Sequence, residues 1–153
     1  MKRFNKSMLG VTLLEIMLVL AIAAMVIVMS IRYYQAANAS QQANSTLEMI
    51  QAITAAADGL AQGTNSYSSV STSSVTKLMP NGIMTAPWGG AITISSPSST
   101  GYTVGIVNMP AQVCDQLSSR LKASNNYTAI TPTDCGTSTV ATFSYTYTNS
   151  PAT

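Results

Sequence analysis

An acidic residue stands near the start of the sequence, in a place where acids are costly. Glu15 lies within residues 11–31, where only Thr12, Glu15 and Ser30 are strongly polar. As an α-helix this segment would span about 30 Å, enough to cross a lipid bilayer. A carboxylate in hydrocarbon costs roughly 3 kcal/mol and usually finds a partner. The position of Glu15 therefore indicates either a specific charge partner or a side chain that reaches the lipid headgroups near the helix end.

The sequence offers little for catalysis. It has no histidine for general acid–base chemistry, and its five acidic residues are scattered along the chain. Serine is plentiful, but no serine stands in a GxSxG-type turn that would make it a nucleophile. We therefore expect no enzyme activity and no cofactor.

Basic residues cluster at the N-terminus. Lys2, Arg3 and Lys6 precede the apolar segment, so the positive-inside rule places this end in the cytoplasm and everything after Ile31 outside. The apolar run is longer than that of a secretory signal and is followed by Arg32, which disfavours removal of the whole segment. The sequence therefore predicts a single-pass, exported protein.

Charge is sparse in the rest of the chain. Only 8% of the 153 residues are charged, and past Gly10 no lysines or arginines cluster. Binding to phosphates needs such a cluster, so we expect no direct contact with nucleic acid. Because few charges keep copies apart, the composition favours self-association.

Two cysteines, Cys114 and Cys135, lie in the C-terminal third. An even pair in an exported domain indicates a disulfide, worth roughly 3 kcal/mol on the chain-entropy account. Two buried free thiols are the alternative. A metal site is disfavoured, because the only carboxylates near the cysteines in sequence are those of Asp115 and Asp134.

The N-terminal motif combines a short basic leader, a glycine, and a glutamate five residues further on, all ahead of a long apolar helix. The run is Gly10, Val11, Thr12, Leu13, Leu14 and Glu15. This pattern, over roughly residues 1–35, resembles the signature of type IV pilins. In that family a membrane-embedded prepilin peptidase cuts after the glycine, methylates the new N-terminus and leaves the apolar helix in place.

The resemblance assigns roles residue by residue. Gly10 and Val11 flank the cleavage point, Val11 carries the N-methylation, and Thr12 and Glu15 belong to assembly. A carboxylate and an α-amine buried in a bundle of helices must neutralise each other. We expect Glu15 of one subunit to pair with the amine of Val11 in the next, which would fix the axial register of a helical filament.

The implied fold is α+β, the type IV pilin fold, in which a long N-terminal helix packs on an antiparallel sheet. Residues 1–10 would be the leader, 11–33 the transmembrane and assembly helix, 34–62 its amphipathic continuation, and 63–153 the αβ-loop and head. The implied partners are the prepilin peptidase, the inner-membrane assembly machinery and further copies of the chain. The prepilin would reside in the inner membrane and the homopolymer would be an extracellular pilus.

This sequence departs from the family pattern at three points. Val11 stands where many members have Phe or Met, the ten-residue leader is intermediate in length, and Arg32 stands where many type IVa pilins have proline. A disulfide that bounds a C-terminal region, here Cys114 to Cys135, is most like the type IVb subgroup. Whether the helix melts locally on assembly stays open.

Periodicity predicts the remaining elements. Apolar residues at steps of three and four continue the helix past the membrane, with stops at Asp58–Gly59 or Gly63. They are Ala36, Ala39, Ala43, Leu47, Ile50, Ile53, Ala57 and Leu60.

Beyond the helix, residues 63–76 are hydroxyl-rich and predict a long surface loop, followed by a connector that Trp88 anchors to the core. Strands are predicted at 91–95, 102–108, 126–130 and 139–148, and a helix at 110–124. Inward faces are assigned to Tyr102, Val104 and Ile106; to Val113, Leu117 and Leu121; and to Ala141, Phe143, Tyr145 and Tyr147.

The leading hypothesis is the structural subunit of a type IV pilus that serves adhesion or bacterial aggregation. A minor pilin and a type II secretion pseudopilin are alternatives, and major pseudopilins usually lack the disulfide and carry an Asp-rich calcium loop. A membrane-anchored exported binding domain is the rival from another class. That rival would be indifferent to replacement of Glu15, whereas a filament subunit would lose assembly.

Overall fold

The computed structural model describes residues 12–79 and 82–149. Contacts divide the chain into two units, residues 1–36 and 37–153. Helix α1, Leu13–Gln62, contributes to both units.

The first unit consists, in its described part, of the start of α1. Thr12 precedes the helix, and its carbonyl accepts hydrogen bonds from the backbone amides of Glu15 (3.0 Å) and Ile16 (3.2 Å). The Glu15 amide also approaches Thr12 Oγ1 at 3.4 Å. A threonine followed three residues later by a glutamate is the capping-box pattern of a helix N-terminus. Local sequence therefore explains why the helix begins at Leu13.

The second unit contains the rest of α1, which buries a face made largely of alanines. The buried residues are Ala39, Ala43, Thr46, Ile50, Ile53, Ala57 and Ala61. The predicted stripe is confirmed at five of these positions, but Leu47 and Leu60 are only half-buried and Ala36 is exposed. Thr46 is tolerated on this face because its hydroxyl donates to the Gln42 carbonyl at 2.8 Å.

Helix α1 ends at Gln62, immediately before Gly63, so the second predicted stop is confirmed and the first is wrong. The helix passes through Asp58 and Gly59. Asp58 does not end it, because its carboxylate accepts a hydrogen bond from the Tyr67 hydroxyl at 2.7 Å rather than from local backbone amides.

The prediction of a long surface loop at residues 63–76 is wrong. A short helix, α2, runs over Thr72–Leu78, and the Ser71 side chain caps it by accepting from the Ser74 amide at 3.2 Å. Tyr67, Val70 and Val75 are buried. The hydroxyl-rich composition gave no sign that these three residues are buried. The seven residues of α2 are too few to show a helical period.

The four predicted strands are confirmed. They are β1 (Ile92–Ser95), β2 (Gly101–Met109), β3 (Tyr127–Thr131) and β4 (Val140–Thr148). All pairs are antiparallel, in the spatial order β1-β2-β4-β3. The inward residues of β2 are buried as predicted, and on β4 burial begins at Phe143, opposite Ile106, so the prediction for Ala141 is wrong.

Helix α3, Ala111–Lys122, covers one end of the sheet and buries Val113, Leu117 and Leu121 as predicted. Arg120 donates from its guanidinium to the Asn44 side-chain oxygen, which joins α3 to α1. In the connector before β1, the Trp88 indole N–H donates to the Val107 carbonyl at 3.1 Å, and Trp88 is half-buried. These contacts hold the periphery of the head against its core.

Substitution of two tyrosines should shift stability in opposite directions. The Tyr145 hydroxyl is buried with no hydrogen-bond partner among the described residues, whereas the Tyr67 hydroxyl donates to Asp58. Removing an unpaired buried hydroxyl relieves a desolvation penalty, so Tyr145→Phe should raise the free energy of unfolding by about 1 kcal/mol. Tyr67→Phe should lower it by about 1–3 kcal/mol, because the Asp58 carboxylate loses its donor.

Urea unfolding of the detergent-solubilised chain, followed by near-ultraviolet circular dichroism, measures both changes. A loss of stability for Tyr145→Phe as large as that for Tyr67→Phe would contradict this assignment of the two hydroxyls.

Candidate functional site

The first candidate site is the exposed surface of α1 in the N-terminal unit. Every described residue from 12 to 36 is exposed, including large apolar side chains such as Leu14 at 76% and Met29 at 64%. Soluble monomers rarely expose a continuous apolar surface of this kind. By length and composition α1 is able to cross a membrane. This surface therefore requires an apolar environment, either lipid or another protein.

Glu15 carries the only charged side chain in residues 13–31. It lies in the first turn of α1, where the unpaired amides and the helix dipole favour a negative charge. Thr12 and Glu15, both predicted assembly residues, are brought together by the capping contact. The Glu15 carboxylate has no hydrogen-bond partner within the described ranges. Gly10 and Val11, the predicted cleavage and methylation residues, lie outside those ranges.

The predicted cysteine pair lies in the second unit. Cys114 and Cys135 form a disulfide with their Cα atoms 5.8 Å apart, and both residues are buried. Cys114 belongs to α3, and Cys135 follows β3 in the segment that leads to β4. The bridge therefore joins α3 to the β3–β4 connection.

A cluster of tyrosines fills one side of the head. The ring centroids of Tyr67, Tyr102 and Tyr147 lie 5.3–6.0 Å from one another. Tyr127 extends the cluster, with its ring centroid 5.5 Å from that of Tyr145 and 5.7 Å from that of Tyr147. Such tilted and edge-on pairs add to the stabilisation from burial.

Asp58 is the acidic partner of this cluster. Its Oδ1 accepts from the Tyr67 hydroxyl at 2.7 Å, and its Oδ2 lies 3.5 Å from the Tyr147 hydroxyl. These contacts join α1 to the segment after it and to β4.

A groove of about 460 Å³ lies beside Asp58 and Tyr67. The remaining wall is formed by Ala61, Gln62, Asn65, Ser99, Thr100 and Asn149. The end of α1, the loop after it, the β1–β2 turn and the end of β4 all contribute. Sequence reasoning missed this groove, because its residues come from four separated segments that share no motif. The one available signal was Tyr67, the sole aromatic residue in a hydroxyl-rich stretch.

The environment of the tyrosine cluster changes its acid–base properties. Burial raises the pKa of Tyr145 well above its usual range, and burial also raises the pKa of Tyr147. For Tyr67, burial is the largest cause of a raised pKa, followed by the hydrogen bond to Asp58 and the charge of Asp58. Each of these hydroxyls is held in its protonated form by the fold.

The exposed apolar helix and the four-stranded antiparallel head together define the α+β type IV pilin fold. The family described as PilS N terminal matches residues 40–131, more than half of the 153-residue chain. The chain belongs to this pilin-related family. Comparisons with curated proteins and with solved structures gave no match. Fold and family are structural in kind rather than enzymatic, and they indicate a pilus-related subunit.

The raised tyrosine pKa values predict alkaline destabilisation. The folded chain holds these protons more tightly than the unfolded chain, whose tyrosines titrate near the ordinary pKa of 10.0. The associated stability is therefore fully present below pH 10 and is lost as the pH rises through the higher folded-state pKa values. Urea midpoints measured at pH 8, 10 and 11 should fall steeply only above pH 10.

Two neighbouring variants separate titration from general destabilisation. Tyr145→Phe should flatten the alkaline fall, because one buried titrating group is removed. Phe143→Leu alters an equally buried side chain that does not titrate, so it should lower the midpoints at all three pH values by a similar amount. Parallel curves for wild type and Tyr145→Phe would contradict the assignment of the fall to this tyrosine.

Proposed function

We propose that this chain is the structural subunit of a type IV pilus, most similar to the type IVb subgroup, and that it polymerises through α1. The observation that carries the proposal is the exposed apolar surface of residues 13–31 with Glu15 as its one charge. Membership of a pilin-related family supports it. The disulfide, which bounds most of α3 together with β3, supports the type IVb subgroup and disfavours a pseudopilin.

The chain would pass through two environments. As a prepilin it would span the inner membrane once, with its N-terminus in the cytoplasm and the lipid covering α1. After the prepilin peptidase cuts between Gly10 and Val11 and methylates Val11, the assembly machinery would transfer α1 from lipid into a bundle of α1 helices. Apolar surface is then covered in both states, so the transfer changes partners without exposing hydrocarbon to water.

Glu15 would select the position of each incoming subunit. Within a dry helix bundle an unpaired carboxylate is costly, and the α-amine of Val11 in a neighbouring copy can neutralise it. The capping contact with Thr12 keeps Glu15 in the first helical turn, close in sequence to that amine. The pairing would therefore fix the axial register, and a repeated non-closing contact of this kind gives a filament.

The extracellular pilus would serve adhesion or bacterial aggregation. Its head would present a surface with few charges and many hydroxyl groups, which favours close approach between fibres.

Processing gives a direct prediction about the mature subunit. Mass spectrometry of sheared surface fibres should find a chain that begins at N-methylated Val11, which is about 14 Da heavier than the unmethylated product. A mature chain that retains Met1–Gly10, or one that begins after residue 31, would contradict the processing step.

Replacement of Glu15 tests polymerisation. Glu15→Gln should abolish or strongly reduce surface fibres, because the α-amine of the neighbouring copy loses its counter-charge. Insertion and disulfide formation should stay normal. Electron microscopy of the cells and quantification of sheared fibres measure the effect, and fractionation checks insertion.

Glu48→Gln is the matched control, because Glu48 is an exposed glutamate of the same helix outside the apolar stretch. It should leave fibre yield unchanged. Normal fibre yield for Glu15→Gln would instead favour a membrane-anchored binding domain, in which the acid has no assembly role.

A further inference from the structure

The groove beside Asp58 contains polar groups that the head does not use. Among the described residues, no side-chain hydrogen bond involves Gln62, Asn65, Ser99, Thr100 or Asn149, although all five line the groove. These side chains offer amide and hydroxyl groups that both donate and accept hydrogen bonds. A volume of about 460 Å³ lies within the range of small-molecule sites. The groove is therefore large enough, and polar enough, to hold a ligand of a few rings.

The backbone that carries these side chains is fixed in place. In the β1–β2 turn the Ser98 amide and hydroxyl both donate to the Gly101 carbonyl, at 2.8 and 2.9 Å. The backbone N–H of Asn149 donates to the Thr100 carbonyl at 3.0 Å, which ties the end of β4 to the same turn. Gly101 permits this close approach, because a Cβ there would collide with the Tyr147 carbonyl. Such preorganisation lowers the entropy cost of binding.

The segment after α1 is also held in place. Tyr67 is buried, and its hydroxyl donates to Asp58, and both residues line the groove. Asn65 adopts a left-handed backbone conformation with φ of 50°, which turns the chain after α1. The four segments thus present a defined pattern of polar groups.

Charge narrows the class of ligand. Among the described residues, no lysine or arginine lines the groove, so no side chain in that lining would compensate an anionic ligand. Asp58 is the one carboxylate of that described lining, and it already accepts the Tyr67 hydroxyl, which leaves too few negatively charged oxygens for a tight calcium site. A neutral ligand with many groups that donate and accept hydrogen bonds matches amides and hydroxyls best.

We propose that the groove formed by Gln62, Asn65, Ser99, Thr100 and Asn149 binds a neutral saccharide of two or three sugar units. Sugar hydroxyls can donate to amide oxygens and accept from amide N–H groups, and three side-chain amides line the groove. If the pilus is adhesive, as proposed above, saccharides would be the ligands to which it adheres through this site. The residues that line the groove all belong to the second unit, residues 37–153, and the site does not require polymerisation. The inference is therefore independent of the assembly proposal.

The test uses the full chain in a detergent that contains no sugar headgroup. Immobilised chain is exposed to neutral di- and trisaccharides built from hexoses and N-acetylhexosamines, to sialylated and sulfated counterparts, and to neutral peptides of similar size. Surface plasmon resonance measures the affinities. We expect binding of one group of neutral saccharides, with the charged counterparts and the peptides inactive.

The double variant Gln62→Leu and Asn149→Leu removes two groove amides while keeping side-chain size. It should weaken saccharide binding by about tenfold or more, since each lost hydrogen bond costs a factor of several. The matched control, Gln51→Leu with Asn125→Leu, replaces two exposed amides outside the groove and should bind like wild type. Near-ultraviolet circular dichroism should be unchanged in both variants.

Three outcomes would overturn the proposal. They are the absence of neutral-saccharide binding, equal binding by the groove variant and the control, and preference for peptides or anionic glycans. The Glu15→Gln chain separates this proposal from the assembly proposal, because it should bind saccharide normally even though it makes no fibres. Loss of fibres with retained binding would support both proposals, and loss of binding in that chain would contradict the independence of the groove.

Discussion

The structure depends first on an apolar helix surface that is exposed throughout the described part of residues 12–36. Side chains from Leu13 to Ile31 are about half to three-quarters exposed. At roughly 25 cal/mol per Å² of apolar area, such a surface strongly favours transfer out of water. Lipid and the apolar surfaces of other helices would both cover it. The surface therefore suits a membrane anchor or a contact with another protein.

The second half of α1 solves a different problem, because it must bury itself against a sheet that carries large side chains. Ala39, Ala43, Ala57 and Ala61 supply four of the seven residues of its buried face. The facing strands fill the space with aromatic and branched residues, Tyr102, Phe143 and Tyr145 among the largest. The small residues of the helix and the large ones of the sheet belong to one buried core, and such a combination is one way in which cores reach native density.

The fold could be predicted from the sequence more completely than the groove beside Asp58 could. Periodicity predicted the second half of α1, α3, β2 and β4, whereas the shorter strands β1 and β3 were predicted beside turn residues. It failed where burial depends on isolated anchors, as in residues 63–76, where Tyr67 and Val75 reach the core through hydroxyl-rich neighbours. Glu15 stood out because one local motif contains it. The groove did not, because Gln62, Ser99 and Asn149 meet only through tertiary structure.

Two acidic residues, Asp58 and Glu15, have opposite environments in the structure. Asp58 is satisfied within the chain by Tyr67 and approached by Tyr147, so it stabilises one particular packing of the head. Glu15 has no such side-chain partner in the described ranges, and it lies on the exposed apolar surface of α1. An acid that is hydrogen-bonded within the chain favours one packing of that chain, whereas an acid without an internal partner favours an environment that supplies one. Asp58 and the groove residues belong to the second unit and Glu15 to the first, so substitutions can test the two sites separately.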